Sequence, residues 1–216
     1  MLISFTGAQS SGKTTLLKKC KSNLNGNWCY VDEVTRYIRK RYGEQINEGG
    51  TDMTQLLIIN NHIENTYLPK VMPDNHYEGV VLDRCILDGV VYTEWLYENG
   101  KVSKWVYDYS RKIFKKLISK MDIIFYTDPS IPIKDDGERS TSKKFRDEII
   151  KKFDRYIKKN NINCLITTAP PFSTHLTGLN IKNNTGIKWI SDFRDPWSDF
   201  FQFKLLPMSS FQRKRH

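Results

Sequence analysis

The feature that most constrains the fold is the run Gly7-Ala8-Gln9-Ser10-Ser11-Gly12-Lys13-Thr14, which directly follows the apolar run Leu2-Ile3-Ser4-Phe5-Thr6. It fits G-x-x-x-x-G-K-[ST], a loop that holds phosphate groups between a β-strand and an α-helix. The two glycines permit a tight turn and a close approach of the backbone. The helix that follows offers unpaired N–H groups and the positive end of its dipole. The sequence therefore predicts a nucleotide-binding P-loop.

Individual residues of this loop have distinct expected roles. Lys13 is expected to contact the β- and γ-phosphates of ATP, and the Thr14 hydroxyl to ligate Mg²⁺. The predicted nucleotide-binding residues are Gly7, Ala8, Gln9, Ser10, Ser11, Gly12, Lys13, Thr14 and Thr15.

Length and composition fit either one large α/β domain or a domain with an appendage. The chain has 216 residues, of which 39% are hydrophobic, which suffices for one generous core. No apolar run approaches 18 residues and the P-loop strand begins at Leu2, so we expect a cytoplasmic protein with no membrane partner. The four cysteines lie far apart without metal-ligand spacing, which favours free thiols.

The formal net charge of +10 raises the question of a nucleic-acid partner. Much of the excess lies in helical surface pairs such as Lys115-Lys116 and Lys151-Lys152. A solvated helix face explains such pairs better than a nucleic-acid-binding surface, although the second explanation stays open.

Acidic residues and arginines follow two predicted strands. Asp32-Glu33 and Arg36 come after the strand Trp28–Val31, and Asp83-Arg84 ends the apolar run Gly79-Val80-Val81-Leu82. Parallel sheets bind ligands at the carboxyl ends of their strands. Asp83 is therefore expected to hold Mg²⁺ or to accept a proton from an attacking hydroxyl, with Glu33 as the alternative base.

Three further residues are candidates for binding a phosphate or the molecule that would receive it. Arg84 and Arg36 are predicted to position a phosphate or the acceptor, and the alternative for Arg36 is a surface arginine after a helix cap. Gln55, on a predicted helix from Thr51 to Tyr67, is a candidate substrate ligand. Lone polar residues on an amphipathic helix are mostly exposed, so the pattern favours a surface position for Gln55 and for His62.

A charged, glycine-broken loop spans residues 129–140. Such a loop can close over a nucleotide, which would bring Arg139 to the transferred phosphate and Asp136 to the substrate. A plain surface loop is the alternative. Helices predicted at 86–99, 102–120 and 145–159, and strands at 122–127 and 163–167, complete the first part of the chain.

Taken in order, the P-loop, the acidic exit from the second strand, Leu82-Asp83-Arg84 and the segment 135–139 make residues 1–167 resemble a known P-loop kinase group. Its type member is the ribosylnicotinamide kinase domain of the bacterial NAD-biosynthesis regulator, and such sequences are often catalogued as AAA-type ATPase domains. The resemblance implies an α/β, three-layer P-loop NTPase fold with a parallel five-stranded sheet. It also implies ATP as phosphoryl donor and a small hydroxyl acceptor, typically a nucleoside.

The resemblance also implies residue roles. Lys13 and Thr14 would serve the phosphates and Mg²⁺, Asp83 would be the acid near the acceptor or metal, and Arg139 would be the lid arginine. The segments between residues 33 and 75 match only loosely, so the resemblance does not identify the acceptor molecule.

Residues 168–216 carry a second signature. Pro170-Pro171-Phe172-Ser173-Thr174-His175-Leu176-Thr177-Gly178-Leu179 and Asp192-Phe193-Arg194-Asp195-Pro196-Trp197 resemble part of the amino-terminal domain of family-4-type bacterial glycosyltransferases. The match is a fragment without a sugar-nucleotide-binding domain, so glycosyl transfer is not expected. We predict a short β-α-β appendage from strand 163–168, a helix near 174–182 and strand 188–193, with a basic tail after it. This unit could add a sixth strand to the edge of the sheet through a right-handed crossover.

These patterns predict ATP- and Mg²⁺-dependent phosphoryl transfer to a small, nucleoside-like acceptor. The alternative is a P-loop ATPase or nucleotide-binding module that acts on nucleic-acid ends.

Overall fold

The structure, a computed structural model, describes residues 1–71, 77–127, 142–159, 164–168, 182–183 and 188–192. The chain divides into two units, Met1–Asn161 and Ile162–His216. The first unit contains the P-loop.

A parallel sheet of four strands forms the centre of the first unit. The strands are β1 (Leu2–Thr6), β2 (Trp28–Val31), β3 (Gly79–Asp83) and β4 (Ile123–Tyr126), in the spatial order β2-β3-β1-β4. Every residue of β1 and β3 is buried, as expected of central strands in a parallel sheet that is covered on both faces.

Helices connect these strands. They are α1 (Lys13–Asn23), α2 (Val34–Tyr42), α3 (Asp52–Val71), α4 (Ile86–Glu98), α5 (Lys104–Leu117) and α6 (Lys143–Lys159), with short 3₁₀ turns at Asn47–Gly49 and Ile118–Lys120. Across the described ranges, none of the helices has both the length and the apolar character needed to cross a bilayer.

Alternate residues of the central strands pack against different helices. Ile3 and Phe5 of β1 pack with Leu17 of α1 on one face of the sheet. On the other face Leu2 and its neighbours on β3 pack against Leu68 of α3. This period of two separates the faces and gives the predicted three layers, helix, sheet and helix.

The largest apolar cluster lies among α4, α5 and α6. Phe153 of α6 is fully buried, and its ring contacts Tyr92 of α4 and Tyr126 of β4 at centroid distances of 6.4 and 5.7 Å. Phe145, Ile149 and Phe153 are spaced by four residues and form the buried stripe of α6.

The predicted five-stranded sheet is wrong in its strand count, because four strands form the sheet in the described part of the chain. The predicted fifth strand is β5 (Cys164–Thr168), and it pairs in parallel with β6 (Lys188–Asp192) in a separate two-stranded sheet. A β-branched run specifies a strand but not its partner, and the interval of about twenty residues suffices for a parallel crossover. Apart from Lys182, the helix predicted at 174–182 lies outside the described residues, as does the basic tail.

Replacing Phe153 with Ala should lower the free energy of unfolding by about 3–5 kcal/mol, because a buried aromatic ring is lost and the cavity cannot fully collapse. Urea unfolding followed by far-UV circular dichroism measures this change. Lys151→Ala, at an exposed position of the same helix, is the matched control and should change stability by less than about 0.5 kcal/mol. A loss below about 1 kcal/mol for the Phe153 variant would contradict the packing of α6 described above.

Candidate active site

The loop between β1 and α1 has the backbone conformation that its glycines permit. Gly7 and Gly12 have φ values of +141° and +87°, and Ser10 also has a positive φ of 59°. A Cβ at Gly7 would lie only 2.6 Å from Thr127 Oγ1 at the end of β4. Glycine is thus required at Gly7 both for its backbone angle and for the close approach of the loop to β4.

Lys13 is the first residue of α1 and its side chain folds back over the loop. Its Nζ donates to the carbonyl oxygens of Gly7 and Ala8 at 2.8 and 2.6 Å, and to Ser11 Oγ at 3.2 Å. Burial and, to a smaller extent, the nearby Arg84 lower the pKa of Lys13 to about 7. A phosphate group beside Nζ would favour the charged form, so an anionic ligand compensates the burial of this lysine.

Thr14 and Asp83 join α1 to the end of β3. Thr14 Oγ1 donates to Asp83 Oδ2 at 2.6 Å. The other carboxylate oxygen, Oδ1, is buried and has no hydrogen-bond partner among the residues that the structure describes. Burial raises the pKa of Asp83, although Arg84 and the Thr14 hydrogen bond oppose the shift.

This pair fits Mg²⁺. A threonine hydroxyl and a carboxylate with an unsatisfied oxygen are hard oxygen ligands, and Mg²⁺ is usually held by one or two protein oxygens together with substrate phosphates. A divalent cation would also satisfy the buried Oδ1 and favour the ionised form of Asp83.

Arg84 is a buried cation held between two carboxylates. Its Nε donates to Glu33 Oε1 at 2.7 Å and its Nη1 donates to Asp88 Oδ1 at 3.1 Å. Burial lowers the pKa of Arg84, but Glu33, Tyr92 and Asp88 raise it well above its usual value, so the charge is retained. Its φ of +82° is unusual for a residue with a side chain, and the two ion pairs offset this strain.

Asp88 connects this ion-pair network to the P-loop strand. Its Oδ2 accepts from Thr6 Oγ1 at 2.6 Å and from the Cys85 backbone N–H at 3.1 Å. The network therefore ties the ends of β1, β2 and β3 to the first turn of α4.

A cavity of about 490 Å³ opens beside this network. Among its lining residues are Gln9 of the P-loop, Glu33, Arg84, and three basic residues of α2, Arg36, Arg39 and Lys40. The positions i, i+3 and i+4 place these basic residues on one face of α2, while Val34 and Ile38 are buried. Arg36 Nε also donates to Glu33 Oε2 at 3.0 Å, so both oxygens of Glu33 are bound to guanidinium groups.

Residues 2–172 match the family model AAA_28, described as an AAA domain. The chain belongs to this AAA domain family. No curated protein matches the sequence significantly.

Solved structures share the fold. NadR protein in complex with NR aligns with a TM-score of 0.58 at 20% identity, covering 74% of this chain and 43% of the NadR chain. NadR in complex with NAD and AMP-PNP has a TM-score of 0.58 at 18% identity, covering 87% of this chain and 50% of the other. Deoxyadenosine kinase from M. mycoides, with products dCMP and dCDP, has a TM-score of 0.55 at 14% identity, covering 85% and 100% of the two chains.

The predicted resemblance to the P-loop kinase and AAA-type group is therefore confirmed. The chain is a P-loop protein of the AAA domain family with the fold of these structures, and it spans about half the length of the NadR chains it matches. The glycosyltransferase resemblance of residues 168–216 receives no support from the family match or from these three structures.

The structure brings several predicted site residues together at the carboxyl edge of the sheet. Lys13, Thr14 and Asp83 form one group at the P-loop, and Glu33, Arg36 and Arg84 form a second group beside it. Asp136 and Arg139 lie outside the described residues.

Gln55 and His62 are both buried, so the surface position that the helix pattern favoured is wrong for each of them. Their face of α3 packs against α4, and a single amphipathic helix does not indicate that a second helix covers its polar positions. Gln55 Oε1 accepts a hydrogen bond from Thr93 Oγ1 of α4 at 2.9 Å.

Two residues of α4 were missed by sequence reasoning. Asp88 anchors Arg84, and the Tyr92 ring lies 5.6 Å from the Arg84 guanidinium while its hydroxyl donates to Gln9 Oε1 at 3.1 Å. Asp88 and Tyr92 are four residues apart on α4 and share a face of that helix, but Arg84 precedes the helix, so no local spacing links it to them.

The pKa of Lys13 generates a prediction about stability. Between about pH 7 and 10.5 the unfolded chain keeps the lysine proton while the folded protein releases it. The free energy of unfolding should therefore rise with pH over this window, by on the order of a few kcal/mol, relative to a Lys13→Met variant that lacks the titration. Chemical unfolding of both proteins from pH 6 to 10, without nucleotide, measures the difference. A difference that stays flat or falls over this range would contradict the burial of the ammonium group.

Proposed function

We propose that the chain is a kinase that transfers the γ-phosphoryl group of ATP to a hydroxyl of a small, nucleoside-like acceptor, with Mg²⁺ as cofactor. The observation that carries the proposal is the cavity of about 490 Å³ beside the P-loop, with Glu33 and Arg84 on its wall. Its volume is typical of small-molecule sites. An ATPase whose acceptor is water needs no second cavity of this size, so the cavity favours a kinase.

Lys13, Thr14 and Asp83 form the donor side. Lys13 would exchange its loop carbonyls for the β- and γ-phosphates, where its charge stabilises the charge that develops during transfer. Thr14 and Asp83 would hold Mg²⁺, which neutralises phosphate charge when bound.

Two carboxylates compete for the role of base toward the acceptor hydroxyl. Asp83 accepts the Thr14 hydrogen bond and has a free oxygen suited to the metal. Glu33 instead lines the acceptor cavity. This division of contacts favours Asp83 as the metal ligand and Glu33 as the group that orients or deprotonates the hydroxyl.

Arg84 and Arg36 position Glu33. Each guanidinium group donates to a different oxygen of the Glu33 carboxylate, at 2.7 and 3.0 Å. Because both carboxylate oxygens of Glu33 are held in place, the carboxylate would meet the acceptor hydroxyl in one fixed orientation, which favours catalysis. Since both arginines also line the cavity, they can contact the acceptor as well.

Asp136 and Arg139 keep their predicted roles within this proposal. Arg139 would neutralise charge on the transferred phosphoryl group, and Asp136 would contact the acceptor.

The ligands of the similar structures support this assignment. NadR was solved with NR and with NAD and AMP-PNP, and deoxyadenosine kinase was solved with dCMP. A nucleoside triphosphate analogue and a nucleotide product support ATP as donor and a nucleoside-like acceptor.

Wild-type protein incubated with labelled ATP, Mg²⁺ and a panel of nucleosides that includes ribosylnicotinamide should produce a labelled nucleotide. Lys13→Ala should abolish turnover, because the charge that stabilises the transferred phosphoryl group is lost. Lys18→Ala, at an exposed position of the same helix, should retain wild-type activity. Full activity of the Lys13 variant would overturn the donor-side assignment.

The two carboxylates should respond differently to removal of their charge. Glu33→Gln keeps an oxygen for the arginines and should lower kcat by about 10²–10⁴-fold, with little change in the KM for ATP. Asp83→Asn should instead raise the Mg²⁺ concentration needed for half-maximal activity. Asp32→Asn removes the exposed neighbouring charge as a control and should leave both quantities unchanged. Equal kcat for Glu33→Gln and wild type would exclude Glu33 as the base.

A further inference from the structure

His62 of α3 is a buried histidine without a hydrogen-bond partner. Its side chain is 1% exposed, and neither ring nitrogen bonds to any residue that the structure describes. Buried polar groups nearly always have a partner in the protein, in water or in a ligand. The two nitrogens therefore require a partner that the described residues do not supply.

The space beside His62 is small and adjoins the acceptor cavity. A cavity of about 20 Å³ is lined by His62 together with Gln55, Gly89 and Tyr92. Asn47 and Arg84 line both this cavity and the cavity of about 490 Å³, so the small one continues the acceptor site inward. A space of 20 Å³ accommodates one water molecule or the edge of a ring whose body lies in the larger cavity.

Gln55 supplies a second polar group to this space. It precedes His62 by seven residues, two helical turns, so both lie on the same face of α3. The Thr93 hydroxyl donates to Gln55 Oε1 at 2.9 Å, which leaves the amide nitrogen as the remaining donor.

Burial lowers the pKa of His62 to about 4, so the imidazole is neutral near pH 7. A neutral imidazole has one donor and one acceptor nitrogen. With the Gln55 amide it complements a ligand edge on which a donor and an acceptor are adjacent.

Gly89 keeps this polar surface uncovered. A Cβ at Gly89 would lie 3.3 Å from His62 Cδ2, tighter than an ordinary contact. Glycine is unfavourable inside a helix such as α4, and here its absent side chain leaves room beside the imidazole.

We propose that Gln55 and His62 bind the hydrogen-bonding edge of the acceptor's ring, and that His62 is a specificity-determining residue for an acceptor with adjacent donor and acceptor atoms, as in a nucleobase. The inference rests on the proposed function and names the acceptor class for that site. A site that hydrogen-bonds such an edge discriminates strongly against a ring that lacks it, because its buried polar groups would then be unpaired.

The test compares nucleosides with an isosteric ring that has no polar edge. Full-length wild type, His62→Leu, His62→Gln and the exposed control Glu64→Gln are assayed with ATP and Mg²⁺. The acceptors are adenosine, guanosine, cytidine, uridine and the C-riboside of benzene. The measured quantity is the ratio of kcat/KM for the best nucleoside to kcat/KM for the benzene riboside.

Wild type and Glu64→Gln should give a ratio of at least about 10², and His62→Leu should lower it tenfold or more. His62→Gln should restore part of the ratio, since it keeps hydrogen-bonding atoms. The KM for ATP should change by less than about twofold in every variant. Thermal unfolding checks that each variant folds, and His62→Met replaces the leucine variant if that one does not.

An unchanged ratio in a folded His62→Leu or His62→Met variant would overturn the inference while the kinase assignment stands, and would leave a buried water as the partner of the imidazole. If wild type phosphorylates none of these nucleosides and not ribosylnicotinamide either, the proposed function fails and the inference fails with it.

Discussion

The arrangement of the site depends on one buried cation. Arg84 is 5% exposed and directly follows the central strand β3, and it is tolerated there because Glu33 and Asp88 each supply a carboxylate within 3.1 Å. A buried charge without a partner is strongly unfavourable, so loss of either carboxylate would affect the whole edge of the sheet. The same contacts fix the side chain of Glu33, which lines the cavity of about 490 Å³. The stability of this edge and the geometry of the candidate site therefore rest on the same ion pairs.

The P-loop shows a related balance between burial and charge. Lys13 is buried, and its Nζ donates hydrogen bonds to groups of the P-loop itself, among them the carbonyl oxygens of Gly7 and Ala8. Asp83 has a buried carboxylate oxygen without a hydrogen-bond partner among the described residues. Both features are unfavourable in the protein alone and favourable beside a triphosphate and a divalent cation. Such stored electrostatic mismatch is typical of sites arranged to bind charged ligands. The two ring nitrogens of His62, which have no partner in the part of the chain that the structure describes, show a similar mismatch beside the smaller cavity.

Local sequence patterns predicted many of the residues at the carboxyl edge of the four-stranded sheet. The P-loop residues, the acids that end β2 and β3, and the arginines beside them were found because strand ends and glycine spacing are encoded over a few residues. Gln55 and His62 were placed at the surface because helix periodicity does not indicate which neighbour covers a polar position. Asp88 and Tyr92 were missed because their importance arises from contacts to Arg84 and Gln9, which lie on other elements. The strand that pairs with β5 could not be predicted from local sequence either, because the residues that favour a strand do not specify its neighbour.

The sequence by itself determined that the chain is an α/β protein with a phosphate-binding loop, and that acids and arginines occupy the functional ends of its strands. These properties are local, because glycine conformation, helix dipoles and strand periodicity act within a few residues. Only the tertiary structure decided that Glu33 lines the cavity of about 490 Å³ while Asp83 is bonded to Thr14, and that Gln55 and His62 lie beside one small cavity. Those distinctions depend on which elements pack together, and long-range packing and desolvation are properties of the assembled fold.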